Sequence, residues 1–490
     1  MSSSGCGIPA ISRRARYAAV GLVIAVLGGC AQLGGAKNEE QMSSIPIPAA
    51  WSRAGEASKT ASATSELQRW WRRLDDPLLD QLIAAAMTAA PDLRTAQAKL
   101  RQARASRDLA VGNLYPSLGV SASANRSKTG TVEARTQYAA GFDASWEPSI
   151  FGGKRDAAAG AQADLAASEA TLAAAQVSLA AEVALEYVTL RVYQRRLAIA
   201  RDNTASQAET LQITDWRQQA GLATMLNVEQ ARTNLEQTRA AIPGLETGRA
   251  QAEHRLAVLT GQVPGAWANR LREAKPLPRA PEDVAVGIPA DTIRQRPDVR
   301  AAELTLQAEV ARSAEQEAAL YPGLTLSGSW GWTAFSSAAL GGGDTLVRSL
   351  AGSLAATLFD GGRIRARIAV QDAMQERALV TYEASILSAL EEVENALVAY
   401  AAGRERLDTQ RRAAESARSA AQLARTLYEA GSVDFQQVLD TGRTRLSAED
   451  GLASAESDLL AAVIKLYKAL GGGWQPTGDT AAGTSRDARS

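Results

Sequence analysis

The sequence predicts a mainly α-helical chain with a β-barrel part. Three observations carry that prediction. Residues 154–216 and 363–428 run for 63 and 66 residues without a proline and with one glycine each, Gly160 and Gly403. Four shorter stretches alternate apolar residues with small or polar ones, the period of a strand. The whole pattern occurs twice, as a duplication would leave it. Composition agrees with long, thin, closely packed helices. Apolar residues make up 46% of the 490, yet aromatics only 5%, and much of the remainder is alanine.

The repeat is read from landmarks. Ala90-Pro91-Asp92-Leu93-Arg94 returns as Arg296-Pro297-Asp298-Val299-Arg300, and Tyr115-Pro116 as Tyr321-Pro322, both 206 residues on. Gly152-Gly153-Lys154 returns as Gly361-Gly362-Arg363 at 209; Gly221, Leu256 and Gly261 return as Gly431, Leu466 and Gly471 at 210. The order holds while the spacing drifts by four residues. The two units span 66–265 and 289–474, with a linker over 266–288.

Within each unit the elements follow in order. Residues 92–113 lack a breaker and predict a helix of about six turns, which Tyr115-Pro116 stops because proline disfavours helix in the residue before it. Strands are expected at about 117–125 and 138–147, where Leu118, Val120, Ala122 and Ala124, then Tyr138, Ala140, Phe142, Ala144 and Trp146, share one face. The second unit predicts strands at about 323–332 and 349–358, with Leu324, Leu326, Trp330 and Trp332, then Leu350, Leu354 and Leu358, on one face. Serine, threonine and glycine on the other face suit a lumen, and strands of about 9–11 residues suit a tilted bilayer crossing. Four strands cannot close a barrel, and open edges in lipid cost several kcal/mol per unpaired group, so chains must pool them. Two chains would give eight strands and three would give twelve, both allowed counts. Long helices follow at 154–216 and 363–428, each about 95–100 Å if straight, with return helices at 224–259 and 434–470. Pro243-Gly244 predicts a kink or break in the first return; Ala453 stands at the matching place in the second.

The N-terminus reads as an address. Arg13, Arg14 and Arg16 precede an apolar run over 18–29 that is too short to span a bilayer and suits a secretory signal peptide. It ends Leu27-Gly28-Gly29-Cys30, which resembles the bacterial lipobox, and implies cleavage before Cys30, acylation of Cys30 and, with Ala31 following, retention at the outer membrane. Residues 1–29 are then the signal, 30–65 a lipidated linker, and 475–490 a disordered tail. Cleavage leaves 50 basic against 53 acidic residues and discards Cys6, so no intramolecular disulfide is expected. The balanced charge carries no basic footprint for nucleic acid. His254 is the only histidine, which excludes most histidine metal sites and most Ser-His-Asp triads. His254 reads as a solvated helix residue, and Gly152-Gly153-Lys154 as a strand-to-helix junction rather than a phosphate loop. No catalytic constellation, metal site or cofactor is expected.

Trp70-Trp71-Arg72-Arg73-Leu74-Asp75-Asp76-Pro77-Leu78-Leu79 resembles the opening signature of TolC-like outer membrane factors. Residues 296–303 and the Ile242-Pro243 break resemble the OprM/NodT-type efflux lipoproteins, and the likeness extends over about 66–474. The resemblance implies a homotrimer, which selects twelve strands. It implies a trimeric α-barrel tunnel in the periplasm below a 12-stranded transmembrane β-barrel in outer-membrane lipid. It also implies a periplasmic adaptor and an inner-membrane transporter, of RND type, as partners. The adaptor-docking tips would be Gly221, Leu222 and Ala223 with Gly431, Ser432 and Val433. The periplasmic gate would lie at Tyr428, Gln437 and Asp440, three copies of Asp440 facing a narrow pore. Gln437 departs from the family's two-aspartate pattern, and Gln230 takes the place of Asp440 in the first unit. The function implied is a passive exit duct for drugs or other small molecules. A type I protein or peptide secretion channel and a non-pore coiled-coil tether are the alternatives.

Overall fold

The computed structural model describes residues 45–52, 67–281, 284 and 287–474. Cys6, Cys30, the apolar run before Cys30 and the tail 475–490 lie outside the described residues, as does the segment 53–66. The described residues from Ile47 onward belong to one unit.

A 3₁₀ turn, Trp70–Leu74, leads into α1 (Pro77–Ala89) and α2 (Pro91–Gly112). Strands β1 (Ser117–Ser127) and β2 (Arg135–Trp146) follow, then α3 (Gly153–Gln219) and α4 (Met225–Leu259). Two short helices, α5 (Ala268–Leu271) and α6 (Pro289–Gln295), cross to the second unit. It repeats the plan as α7 (Pro297–Ala318), β3 (Gly323–Ala334), β4 (Leu346–Ala355), α8 (Arg363–Glu429) and α9 (Phe435–Ala469). The long helices α3 and α8 have 67 residues each, which at 1.5 Å per residue is about 100 Å.

Local chemistry sets the starts and stops. Proline opens α1, α2 and α7, where its missing N–H costs nothing. The Asp76 carboxylate accepts from the N–H groups of Leu78 (2.9 Å) and Leu79 (3.3 Å). Ser149 Oγ accepts from the N–H of Lys154 at 3.1 Å at the start of α3, and Asp360 accepts from those of Gly362 (2.8 Å) and Ile364 (2.6 Å) at the start of α8.

The four strands form one antiparallel sheet in the order β1-β2-β3-β4. Its register keeps every alternation in phase. Val120 lies opposite Phe142, and Phe142 opposite Trp330; Leu118 lies opposite Ala144, and Ala144 opposite Gly328, which faces Leu350. Opposed residues share a face, so one side is apolar across the sheet, apart from Arg348, which lies opposite Trp330 on the edge strand, and Arg126 and Thr136 toward the loop ends of β1 and β2. On the other side Gly119, Asp143, Ser329 and Ser349 make one row, and Ser117, Ser145, Ser327 and Ala351 the next. Among the described residues nothing covers the apolar side: Leu118, Val120 and Leu350 are 73%, 77% and 89% exposed. Gly141 and Gly331 oppose each other on the polar side, where a Cβ on Gly141 would lie 2.7 Å from the Gly331 Cα.

The helices nearest the sheet form a strip of the same order. α2 packs on α3, α3 on α7, and α7 on α8. Since α2 leads into β1, β2 into α3, α7 into β3 and β4 into α8, each strand continues the helix in its own place in the strip. Farther from the sheet, α4 returns along α3 and α9 along α8, and α9 also packs on α3. The main core lies midway, where the Trp70 ring stacks on Tyr467 at 5.3 Å and meets Trp71 edge-on at 5.9 Å.

Two expectations need correction. β4 begins at Leu346 and ends at Ala355, because pairing with β3 from Trp332↔Leu346 to Gly323↔Ala355 sets its limits. Leu358 therefore lies past the strand and is 97% exposed. Pro243 does not break α4, which runs unbroken from Met225 to Leu259. Pro243 is exposed, so the carbonyl it leaves without a donor can face water. One turn on, Gly248 is seated on Tyr193, whose ring would lie 2.4 Å from an added Cβ, and this close contact holds the helix on α3.

Candidate functional site

The far ends of the two hairpins are built alike. Gly221 and Gly431 adopt φ of 74° and 76°, the left-handed region glycine enters without strain. Leu222 N–H donates to the Arg217 carbonyl at 2.7 Å and Gly221 N–H to that of Gln218 at 2.9 Å; Ser432 donates to Leu427 at 2.8 Å and Gly431 to Tyr428 at 2.9 Å. Both are Schellman turns. The return helices are capped in equivalent places. Thr224 and Asn227 form a reciprocal capping box, and the Asp434 carboxylate accepts from Gln437 N–H at 3.1 Å.

The tips differ in what they expose. Leu222, Met225 and Leu226 are 70%, 56% and 66% exposed, making the first tip apolar. Gly221 is exposed and Ala223 half-buried. At the second tip Gly431 and Ser432 are exposed, while Val433 is half-buried against a small core of Ala231, Tyr428, Phe435, Val438 and Leu439.

That core changes the role of Tyr428, the aromatic expected at the gate. Its ring is only 4% exposed, packs on Phe435 at 5.5 Å and carries the Arg217 guanidinium over its face at 4.5 Å. Arg217 Nη1 also donates to the Tyr428 carbonyl at 2.6 Å. Tyr428 is thus part of a clasp joining α3 to α8, not a side chain presented to a passage. Arg425 extends the clasp to Glu209 at 2.8 Å, and Arg443 reaches Asn234 at 3.4 Å between α9 and α4. Gln437 and Asp440 are exposed and, three residues apart, share a helix face; Asp440 accepts from Gln436 Nε2 at 3.0 Å. Sequence reading missed Arg217. Its place in the last turn of α3, where a cation favours the helix dipole, was a local signal, but its partner lies 211 residues away.

The sequence signatures are braces. Asp76 accepts from the Tyr187 hydroxyl at 2.5 Å, and Arg191, fully buried, donates to that hydroxyl at 2.8 Å. Arg296 pairs with Asp298 at 2.6 Å and Glu392 at 2.7 Å, and donates to the Ala469 carbonyl at 2.9 Å, tying the start of α7 to α8 and the end of α9. Burial alone would raise the Asp298 pKa, but the hydrogen bond and charge of Arg296 outweigh it and hold the carboxyl below its usual range. His254 is exposed. Among the described residues no cluster of three or more His, Cys, Asp or Glu could hold a metal, and no helix is long and apolar enough to cross a membrane.

The polar sheet face is the surface along which a solute could travel. Its one carboxylate away from the strand ends, Asp143, accepts from Ser121 Oγ at 2.6 Å, and Ser329 and Ser349 pair through their hydroxyls at 2.7 Å. The model of the outer membrane efflux protein family matches residues 82–262 and 288–472, both repeats. The chain belongs to the outer membrane efflux protein family. It is 34% identical over 454 residues to the pyoverdine export outer membrane protein OpmQ of Pseudomonas putida, covering 89% of this chain and 94% of that one. It is 30% identical to the outer membrane protein OprJ of Pseudomonas aeruginosa, covering 94% and 97%. The solved outer-membrane channel OprN superposes with a TM-score of 0.80 at 36% identity, covering 88% of this chain and all of that one. This chain is therefore an outer-membrane efflux channel protein, its sheet the barrel part and its helices the periplasmic part.

Proposed function

We propose that three copies assemble into one sealed duct, a twelve-stranded barrel above a helical tunnel, and that it conducts passively. The observation that carries this is the matched strip. Strands and helices run in the same order, and both end with an open flank, β1 and α2 on one side, β4 and α8 on the other. An open sheet edge in hydrocarbon leaves backbone groups unsatisfied, so the flanks must meet those of further copies until a ring closes. The apolar side then faces lipid. Trp146 at one end of β2 and Tyr138, Trp330 and Trp332 toward the other supply interfacial aromatics.

In this reading the duct needs no catalysis of its own, and the drive for export comes from elsewhere. A periplasmic adaptor would dock on the tips at Gly221, Leu222 and Ala223 and at Gly431, Ser432 and Val433, joining the duct to an inner-membrane transporter of the RND type. Asp440 and Gln437 would ring the periplasmic opening. Cys30, once acylated, would add an anchor worth roughly 0.8 kcal/mol per buried CH₂. The cargo class is small molecules; relatives include a pyoverdine exporter.

Purified protein in planar bilayers, with SDS gels run unheated and boiled, tests the proposal. Defined conductance steps and a trimer band that collapses on boiling are expected. A non-conducting monomer would support the tether instead.

A further inference from the structure

Two arginines interrupt the apolar side of the sheet, and both lie toward the loop ends of the strands. Arg126 closes the series Leu118, Val120, Ala122 and Ala124 on β1, and Arg348 precedes Leu350 on β4. Both are exposed. The strands join the helices at their other ends, so the loop ends are the ones farther from the periplasmic part. At about 3.3 Å per residue and a tilt of about 40°, Arg126 stands roughly 23 Å above Ser117 and Arg348 roughly 18 Å above Ala355. Leu358 and Phe359, almost wholly exposed, carry the apolar band on below Ala355. A lipid-facing band of about 25 Å therefore ends at the level of these two side chains, where headgroups begin.

Neither arginine has an anionic partner among the described residues. Arg348 shares its face with Leu346, Leu350 and Trp330, and its guanidinium carbon lies 5.9 Å from the centre of the Trp330 ring. Arg126 lies opposite Thr136. Glu133 and Asp344, the acids in the two loops, form no ion pair with either. The bases flanking the other ends of the strands differ. Lys154 pairs with Glu147 at 2.9 Å, Arg155 donates to the Ser149 carbonyl at 2.6 Å, and Arg363 donates to that of Asp360 at 3.0 Å. A guanidinium at the edge of hydrocarbon, left without an internal partner, takes one from the membrane. Its planar fork of N–H groups matches two oxygens of a phosphate, and the poor access of water strengthens that bond.

We infer that Arg126 and Arg348 bind phosphate groups of the glycolipid in the outer leaflet, one arginine on each edge strand of the sheet. Trp330 keeps the Arg348 guanidinium against the barrel wall, at headgroup level. The inference rests on the reading above, in which the apolar side of the sheet faces lipid, and names the lipid that this side recognises.

Native mass spectrometry of the full-chain trimer in detergent tests it. The probes are lipid A with two phosphates, the same lipid A stripped of phosphate, and inorganic phosphate. The parent is expected to retain the phosphorylated lipid about tenfold better than the stripped one. Arg126→Gln with Arg348→Gln should lose that preference, and Arg126→Lys with Arg348→Lys should keep most of it. The boiling-sensitive band on unheated gels checks that each variant has assembled. Equal retention of the two lipids by the parent, or an unchanged preference in the glutamine variant, would overturn the inference and leave the channel standing. Displacement of the bound lipid by inorganic phosphate would reveal a site for free anions and overturn it as well. A parent chain that stays monomeric on unheated gels would instead overturn the assembly.

Discussion

Arg217 and Tyr428 show what one pair of side chains does at the far end of the molecule. The guanidinium lies on the ring and also donates to its carbonyl, so it holds two hairpins whose sequences lie 211 residues apart. Arg217→Ala should leave the barrel intact and loosen the tips, seen as faster amide exchange near 217 and 428 and as more frequent channel opening. Unchanged exchange there would show that the clasp does not hold the tips. In the proposed periplasmic opening Asp440 would act through charge instead: Asp440→Ala should raise leak current and weaken block by divalent cations. Unaltered conductance and block would remove Asp440 from the opening. Gly431→Ala puts a Cβ where φ is 76°, at a cost of about 1–2 kcal/mol, measurable as lowered thermal stability of the helices. These fine contacts were only partly legible in sequence. The glycine turns were, since only glycine takes that backbone at no cost. Tyr428 was misread because an aromatic at a helix end looks the same whether it faces a passage or a neighbour.

At the scale of elements, the strands were legible because alternation declares a two-faced sheet, yet alternation alone cannot set an end. Pairing with β3 did that for β4. The long helices were legible from the missing breakers, and Pro243 was over-read, since a proline on an exposed face of a packed helix loses only one hydrogen bond. The short joints depend on charge. The Asp298 carboxyl, held low by Arg296, contributes stability above the ordinary carboxylate range and loses it as pH falls through the lowered native value. Helix content followed by circular dichroism should therefore decline more steeply below about pH 4 in the parent than in Asp298→Asn, which starts less stable. Equal acid sensitivity would remove this pair as a cause. Gly141→Ala should hinder barrel formation, because its Cβ meets the Gly331 backbone at 2.7 Å and neither strand can give way alone.

In the proposed assembly the whole molecule is one part of a ring. Among the described residues an apolar sheet face is left bare and two sheet edges unpaired. That incompleteness was readable early, because four strands cannot close; the number of copies was not, and entered through resemblance. The central claim is that copies of this chain close a water-filled passage through lipid, and single-channel recording in planar bilayers tests it most directly. The account predicts stable, uniform conductance from the boiling-sensitive trimer and none after boiling. A trimer fraction that inserts into the bilayer yet passes no current would contradict it.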